Sequence, residues 1–332
     1  MKYRKLGKTD IQVSVVAMGC WAIVGDETWG PQDETDSIAT IQAALNLGIN
    51  FFDTAEGYGN GYSEQLLAKA IDGHRHEVII ASKVASGHLA NKEVIKACER
   101  SLKRLKSEYI DLYQIHWPGA RIIPLDETLG ALQELKQQGK IRAIGVSNFG
   151  IQDLIHLLAI GRCEANQLPY SLLWRAIEYD ISQICVDNAI GILCYSPLAQ
   201  GLLTGKFKSA DEVPEGRART RLFSSDRPQV RHGEAGCEQE TFSAIDRIRD
   251  ICDQIHEPMA KVALSWLLYR SGVTSVLAGA RTPEQVKQNA RAAELELPED
   301  IVRSLSRVTE EVKVKMGRNP DMWQAASESR YR

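Results

Sequence analysis

The chain has 332 residues, of which 44% are hydrophobic and 25% are charged, and its formal net charge is −3. This balance is typical of a soluble globular protein and excludes an electrostatic case for nucleic acid or an anionic membrane as partner. No apolar run approaches membrane-spanning length, and the start MKYRKLGKTD lacks a signal-peptide segment. The seven cysteines are scattered without a C-x-x-C pair, so we expect reduced thiols in a cytoplasmic protein.

Residues 2–14 alternate loosely around Gly7 and predict a small β-hairpin. After the hairpin, short apolar strands alternate with amphipathic helices, several of which end at a glycine. Strands are predicted at Val15–Cys20, Asn50–Thr54, Val78–Val84, Leu112–Trp117, Ala143–Asn148, Ala165–Tyr170, Ile192–Ser196 and Ser275–Ala280. Eight such units predict an α/β fold, a (β/α)8 TIM barrel that forms a single domain over residues 1–332.

Two irregular stretches stand outside this alternation. Residues 198–240 are rich in Gly, Arg, Ser and Asp and predict a long loop at the C-terminal face of the barrel. A loop of that length is uncommon without a function, so we expect a lid or a cofactor-binding segment. Residues 313–332 predict a second irregular segment, a C-terminal loop or tail that carries Trp323.

The stretch NFFDTAEGYGNGYSE, residues 50–64, joins a predicted strand to a glycine-rich turn. Its glycines 57, 59 and 61 invite comparison with the G-x-G-x-x-G dinucleotide fingerprint, but Tyr62 occupies the position of the third glycine. An open doubly wound sheet would need such a fingerprint near its first strand, and none is found. We expect instead that the glycines let the backbone turn sharply and bring Tyr58 over the end of the strand.

Polar side chains cluster at the predicted C-terminal ends of three successive strands. Asp53 ends the second strand and is followed by Tyr58, Lys83 lies near the end of the third, and His116 near the end of the fourth. A lone histidine in a strand is more often a satisfied core residue, and a lone tyrosine in a glycine loop is usually part of a turn. Lysine and histidine are costly to bury without partners, however, and active sites of barrels lie at this end of the strands. The set therefore predicts a catalytic site.

Seven stretches, in order along almost the whole chain, resemble the aldo-keto reductase superfamily: FFDTAEGYG, ASKV, LYQIHWP, IRAIGVSNF, NQLPYS, YSPLAQGLLTGK and AGARTPEQVKQN. The chain is most similar to the bacterial branches that reduce sugars and general aldehydes, and it also resembles the β subunits of potassium channels. The resemblance implies a catalytic tetrad of Asp53, Tyr58, Lys83 and His116.

The roles of these four residues can be argued from their chemistry. Carbonyl reduction needs a hydride donor and an acid that protonates the developing alkoxide. The phenol of Tyr58 has an ordinary pKa of about 10, and the adjacent cation of Lys83 is expected to lower it by roughly 1–3 units. Asp53 would hold Lys83 charged, and His116 would donate a hydrogen bond to the carbonyl oxygen. The other nicotinamide-dependent solution, Tyr-x-x-x-Lys, is excluded because none of the ten tyrosines has Lys four residues later.

The end of the last predicted strand suggests where a cofactor would bind. Thr282 and Gln285 fit a capping box, and Pro283 suits the first position of a helix. A helix N-terminus at the top of a barrel is a ready anion site, and Arg281 beside it is suited to a 2′-phosphate. The plain alternative is that Arg281 and Gln285 belong to a solvated helix start.

The resemblance implies a wider cofactor site and favours NADP(H) over NAD(H). It implies that Ser147, Asn148 and Gln167 bind the nicotinamide amide and that Tyr195 stacks under the nicotinamide ring. Contacts along the rest of the cofactor are implied for Trp21, Ser196, Leu198, Gly201, Lys206, Gly279, Arg281, Gln285 and Asn289. Tyr195 taken alone could equally be a core aromatic residue.

Four tryptophans are candidates for the wall of a substrate pocket. Trp21 and Trp117 follow predicted strands, and Trp29 and Trp323 could reach the pocket from loops. Aromatic walls suit sugars and hydrophobic aldehydes alike, so they do not identify the substrate. Each could also be a buried packing residue.

Two functions follow from these observations. The first is an NADP(H)-dependent oxidoreductase that reduces aldehydes, ketones or sugars to alcohols reversibly. The second is a cofactor-binding redox sensor that regulates a partner, with weak catalysis. A lyase or isomerase on the same barrel would need metal ligands or a Schiff-base site, and no clustered His and carboxylate set predicts a metal. The sequence leaves open the substrate and whether the chain forms a homo-oligomer.

Overall fold

In a computed structural model that describes residues 1–119 and 123–332, eight parallel strands close into a barrel. Two short strands, β1 (Tyr3–Lys5) and β2 (Gln12–Ser14), form an antiparallel hairpin. The barrel strands are β3 (Val16–Gly19), β4 (Phe51–Asp53), β5 (Ile79–Val84), β6 (Ile110–Ile115), β7 (Ile141–Ser147), β8 (Ala165–Pro169), β9 (Gly191–Tyr195) and β10 (Val273–Gly279). They follow one another in chain order, and β10 pairs with both β9 and β3. The predicted (β/α)8 barrel is confirmed.

Helices cover the outside of the barrel. They are α1 (Glu34–Asn46), α2 (Tyr62–Ala70), α3 (Asn91–Leu105), α4 (Leu125–Gln137), α5 (Ile151–Ile160), α6 (Ile181–Asp187), α7 (Glu238–Gln254), α8 (Met259–Leu268), α9 (Pro283–Ala290), α10 (Glu299–Val308) and α11 (Glu310–Met316). β6 is buried along its whole length between these helices and the barrel interior, and it carries two polar residues, Asp111 and Gln114, among apolar ones. Within the described ranges, no helix is both long and apolar enough to cross a membrane.

The N-terminal hairpin closes one end of the barrel. Leu6, Ile11 and Val13 are buried and pack in one cluster with inward-facing strand residues such as Phe51 and Leu112. Burying apolar side chains of this size stabilises the fold by about 1.5–3 kcal/mol each. The hairpin therefore covers the N-terminal end of the barrel with apolar side chains.

The long connection from β9 to β10 is irregular up to Cys237, apart from short 3-10 turns at Ala199–Thr204 and Ala210–Glu212, and α7 begins at Glu238. The predicted C-terminal irregular segment starts later than residue 313, because α11 continues to Met316. Val312 and Met316, four residues apart, are buried on one face of this helix, which explains the extension. The last residues, 317–332, then run back to the barrel.

Candidate active site

Neighbouring strands bring Lys83 to Asp53. Asp53 at the end of β4 pairs with Ala81 on β5, and Lys83 lies two residues further along β5, on the same face as Ala81. The Lys83 Nζ atom is 2.6 Å from Asp53 Oδ1, 2.9 Å from the carbonyl oxygen of Thr54 and 3.1 Å from the hydroxyl oxygen of Tyr58. Lys83 is fully buried and Asp53 nearly so. The ammonium therefore uses all three of its donors inside the protein.

The glycine-rich turn places Tyr58 over this ion pair. Gly59 and Gly61 have φ of +55° and +88°, a region that glycine adopts without steric cost. The Tyr58 ring lies nearly parallel to Trp21 with centroids 6.0 Å apart, and meets His116 edge-on at 5.8 Å. The structure thus brings together all four predicted catalytic residues.

Burial reverses one expectation about the pKa of Tyr58. Burial raises the pKa of this phenol and outweighs the opposing charge of Lys83, so the net direction is upward and not downward as the sequence suggested. For Lys83, burial favours the neutral amine, but Asp53 and Tyr58 outweigh it and raise the pKa of Lys83. At neutral pH the lysine is therefore charged and the tyrosine is protonated.

His116 is neutral in this environment. Burial, followed by the charges of Lys83 and Arg330, lowers its pKa to about 3. A neutral imidazole keeps one N–H, so His116 can still donate a hydrogen bond to a carbonyl oxygen.

Two glutamine amides hold the second oxygen of Asp53. Gln167 Nε2 lies 2.7 Å from Asp53 Oδ2, and Gln114 Nε2 lies 3.4 Å from the same atom. The resemblance implies that Gln167 binds the nicotinamide amide. In this structure its amide nitrogen instead donates to the Asp53 carboxylate. Gln114 was missed by the sequence analysis, although it is a polar residue inside the apolar run LYQIH. Gly145 on β7 leaves room for it, since a Cβ there would lie 2.8 Å from Gln114 Cγ.

The remaining nicotinamide candidates form one hydrogen-bonded group after β7. Asn148 Nδ2 donates to the carbonyl oxygen of His116 at 2.9 Å and to Ser147 Oγ at 3.0 Å. Its Oδ1 accepts from the hydroxyl groups of Tyr195 at 2.9 Å and Tyr331 at 2.5 Å. The structure brings Ser147, Asn148 and Tyr195 together as predicted and adds Tyr331, which no sequence signal indicated.

The predicted helix cap at the start of α9 is formed. Thr282 Oγ1 accepts from the Gln285 N–H, while Gln285 Oε1 accepts from the Arg281 N–H.

The Arg281 guanidinium donates to Gln32 Oε1 and to the carbonyl oxygens of Trp29 and Pro31. All these partners are neutral, so the positive charge of Arg281 is not cancelled. Two further predicted cofactor residues, Asn289 and Gly279, contact each other, because Asn289 Nδ2 donates to the carbonyl oxygen of Gly279 at 3.3 Å.

The long loop adds two further cations. A Cβ at Gly201 would lie 3.4 Å from Lys206 Nζ and 3.8 Å from an Arg217 guanidinium nitrogen. Burial and the charge of Arg281 lower the pKa of Arg217, and burial and Arg217 lower that of Lys206. Among the described residues, no carboxylate is within ion-pair distance of these three cations. This cluster fits the phosphates of a dinucleotide.

Arg217 was missed by the sequence analysis. The alternation of Arg217, Arg219 and Arg221 in a glycine-containing loop, shortly after Lys206, was the available signal. Ser196 and Leu198 contribute main-chain oxygens that accept from Ala199 and Gly201, so they shape the turn at the start of this loop.

The tryptophans lie on two sides of the site. Trp21 contacts Tyr58 and Trp29, and its indole N–H donates to Asp26 at 2.8 Å. Trp117 contacts Trp323 edge-on at 6.2 Å, and the Arg330 guanidinium lies 3.5 Å above the Trp117 ring.

Within residues 1–119 and 123–332, no three His, Cys, Asp or Glu side chains are placed to hold a metal ion. All seven cysteines are buried and unpaired.

Comparison with known proteins agrees with this geometry. The model of the aldo/keto reductase family matches residues 15–310. The chain belongs to the aldo/keto reductase family. This family member is 36% identical to the aldo-keto reductase YhdN of Bacillus subtilis over 298 residues, covering 86% of this chain and 87% of the relative. It is 34% identical to the NADH-specific methylglyoxal reductase of Escherichia coli over 319 residues, covering 90% and 95%. A solved aldo-keto reductase of Klebsiella pneumoniae in complex with NADPH has a TM-score of 0.74 and 28% identity, covering 93% of this chain and 96% of the other.

Proposed function

We propose that the protein reduces aldehydes, ketones or sugars to alcohols with NADP(H), reversibly, and that Tyr58 is the general acid. The observation that carries the proposal is the buried Lys83 ammonium, which binds both Asp53 and the Tyr58 hydroxyl at the open end of the barrel. A site of this kind stabilises negative charge that develops on a nearby oxygen.

The chain's own residues have separate tasks in this reaction. The neutral His116 would donate a hydrogen bond to the carbonyl oxygen and orient it, and Tyr58 would protonate that oxygen as it becomes an alkoxide. Lys83 would stabilise the phenolate that Tyr58 leaves, and Asp53 keeps Lys83 charged.

When bound, NADPH supplies the hydride. Lys206, Arg217 and Arg281 would hold its phosphates, which fits their lack of carboxylate partners in the described chain.

The competing hypothesis is a cofactor-binding redox sensor with weak catalysis. Steady-state NADPH consumption with a panel of aldehydes, ketones and sugars, including methylglyoxal, separates the two. We expect saturable turnover on at least one carbonyl class, with kcat/KM in the ordinary enzyme range of roughly 10⁴–10⁸ M⁻¹s⁻¹. Tight NADPH binding without turnover on any of these substrates would favour the sensor.

The charge of Arg281 predicts the cofactor preference. Arg281→Leu is expected to weaken NADPH binding about 10- to 100-fold, since a charge-assisted contact to phosphate contributes roughly 1.5–3 kcal/mol. NADH, which lacks the 2′-phosphate, should lose much less. Titration of both cofactors by isothermal calorimetry measures the difference.

The matched control is Arg303→Leu, because Arg303 is an exposed arginine on α10 that pairs with Glu299. This variant should bind both cofactors as the wild type does. The proposal for Arg281 fails if the wild type prefers NADH, the cofactor for which the Escherichia coli methylglyoxal reductase is named.

A further inference from the structure

The C-terminal segment, residues 319–332, contacts two residues that the proposed function assigns to the nicotinamide end of the cofactor. The Trp323 indole lies parallel to the Tyr195 ring, with an interplanar angle of 7° and centroids 6.2 Å apart. The Tyr331 hydroxyl is 2.5 Å from Asn148 Oδ1, and Tyr331 is 8% exposed. The segment thus places an aromatic ring against Tyr195 and a hydrogen-bonding group against Asn148. In the proposed function, the nicotinamide ring would stack on Tyr195 and its carboxamide would bind Asn148.

The amide of Asn148 has no capacity left in this arrangement. An amide nitrogen donates two hydrogen bonds and an amide oxygen accepts two. The nitrogen donates to His116 and Ser147, and the oxygen accepts from Tyr195 and Tyr331. A carboxamide can bind Asn148 only by replacing one of these four partners. Three of them lie on barrel strands or directly after one, whereas Tyr331 belongs to an irregular segment.

Polar contacts of the main chain anchor the end of this segment to α5. The main-chain oxygen of Arg332 accepts from the N–H groups of Gln152 and Asp153 at the start of α5, at 2.8 and 3.2 Å. The Arg332 N–H donates to Asp153 Oδ2 at 3.0 Å. Gly150 allows this approach, since a Cβ at that position would lie 2.2 Å from the Arg332 oxygen.

Two arginines, Arg330 of the segment and Arg221 of the long loop, hold the part of the segment before Arg332. Arg330 forms an ion pair with the buried Asp321, with nitrogen and oxygen 2.8 Å apart. Arg221 of the long loop donates to the main-chain oxygens of Asn319 and Met316 at 3.0 and 3.1 Å. The segment is therefore tied to the loop that carries Lys206 and Arg217.

We propose that the Tyr331 hydroxyl occupies the place on Asn148 Oδ1 that the nicotinamide carboxamide takes when the cofactor binds. This hydroxyl must leave Asn148 Oδ1 before the carboxamide can bind there, so the C-terminal segment competes with the nicotinamide end of the cofactor. This inference rests on the proposed function, in which Asn148 binds nicotinamide.

Two variants that weaken the competing contact by different means test the proposal. Tyr331→Phe removes the hydroxyl and keeps the ring, and Gly150→Ala pushes the Arg332 main chain away from α5. We expect each to bind NADPH roughly 2- to 10-fold more tightly, the value of one hydrogen bond. Both should bind 2′,5′-ADP, which has the phosphate end but no nicotinamide, with unchanged affinity. Isothermal calorimetry measures all of these constants.

The control is Gly130→Ala on α4, where an added Cβ meets nothing within 4 Å. It should bind both ligands as the wild type does. Unchanged or weaker NADPH binding by Tyr331→Phe overturns the proposal, and so does an equal gain for 2′,5′-ADP. A wild type that binds neither ligand contradicts the proposed function itself, so the two failures are distinguishable.

Discussion

Replacing Tyr58 by phenylalanine is expected to lower kcat for carbonyl reduction by roughly 10²- to 10⁴-fold, the usual contribution of a positioned general acid. The phenyl ring keeps its contacts with Trp21 and His116, so the pocket retains its shape. Lys83 keeps Asp53 and the Thr54 carbonyl as partners, so the buried cation stays paired. The dissociation constant of NADPH should therefore stay within about twofold of the wild-type value, a change far smaller than one hydrogen bond to a charged group would give.

Tyr62, in the same glycine-rich stretch as Tyr58, provides a matched control in the variant Tyr62→Phe. The Tyr62 hydroxyl donates to Glu34 outside the site, so this variant should retain wild-type turnover. Pre-steady-state and steady-state reduction of one good carbonyl substrate, with direct cofactor titration, measures both quantities. If Tyr58→Phe turned over like the wild type, Tyr58 could not be the acid.

The pH dependence of reduction follows from the direction of the Tyr58 pKa. Since burial raises this pKa above its ordinary value of 10, the acid form persists throughout the neutral range. His116, with a pKa of about 3, does not titrate between pH 5 and 8. The site therefore offers one proton donor and one neutral hydrogen-bond donor over the whole of that range.

The barrel and the end at which the candidate site lies were predictable because both depend on local patterns. Short apolar strands separated by helices indicate a parallel fold, and parallel strands bring their C-terminal ends to one edge. Asp53 and Lys83 lie at that edge because each stands near the end of its own strand. The position of a residue within a strand is sufficient to infer such a meeting.

Contacts made by irregular segments were not predictable in this way. Tyr331 reaches Asn148 across 183 positions of sequence, through a segment without periodicity. Arg217 approaches Gly201 within one loop whose path depends on tertiary packing. The sign of the Tyr58 pKa shift was misjudged for a related reason. The cation beside the phenol is visible in the sequence. The burial of the phenol is not, because it depends on contacts with Trp21 and His116, which follow other strands.

Replacing Lys83 by methionine is expected to lower the free energy of unfolding by about 3–5 kcal/mol, because it leaves the Asp53 carboxylate buried without its cation. Gln167 and Gln114 still donate to Asp53 Oδ2, but neutral amides cannot replace the charge. Turnover should fall as well, since the Tyr58 phenolate would lose the cation that stabilises it. Urea unfolding at neutral pH gives the stability, and single-turnover reduction gives the rate.

The double variant Asp53→Asn/Lys83→Met separates these two consequences. With both charges removed, no unpaired ion remains inside the barrel, so most of the lost stability should return. Turnover should not return, because the Tyr58 hydroxyl still lacks its cation. A double variant as unstable as Lys83→Met would show that the loss of stability does not come from the unpaired Asp53 carboxylate. A double variant with wild-type turnover would show that Tyr58 does not need the ion pair, and the proposed acid mechanism would have to be abandoned.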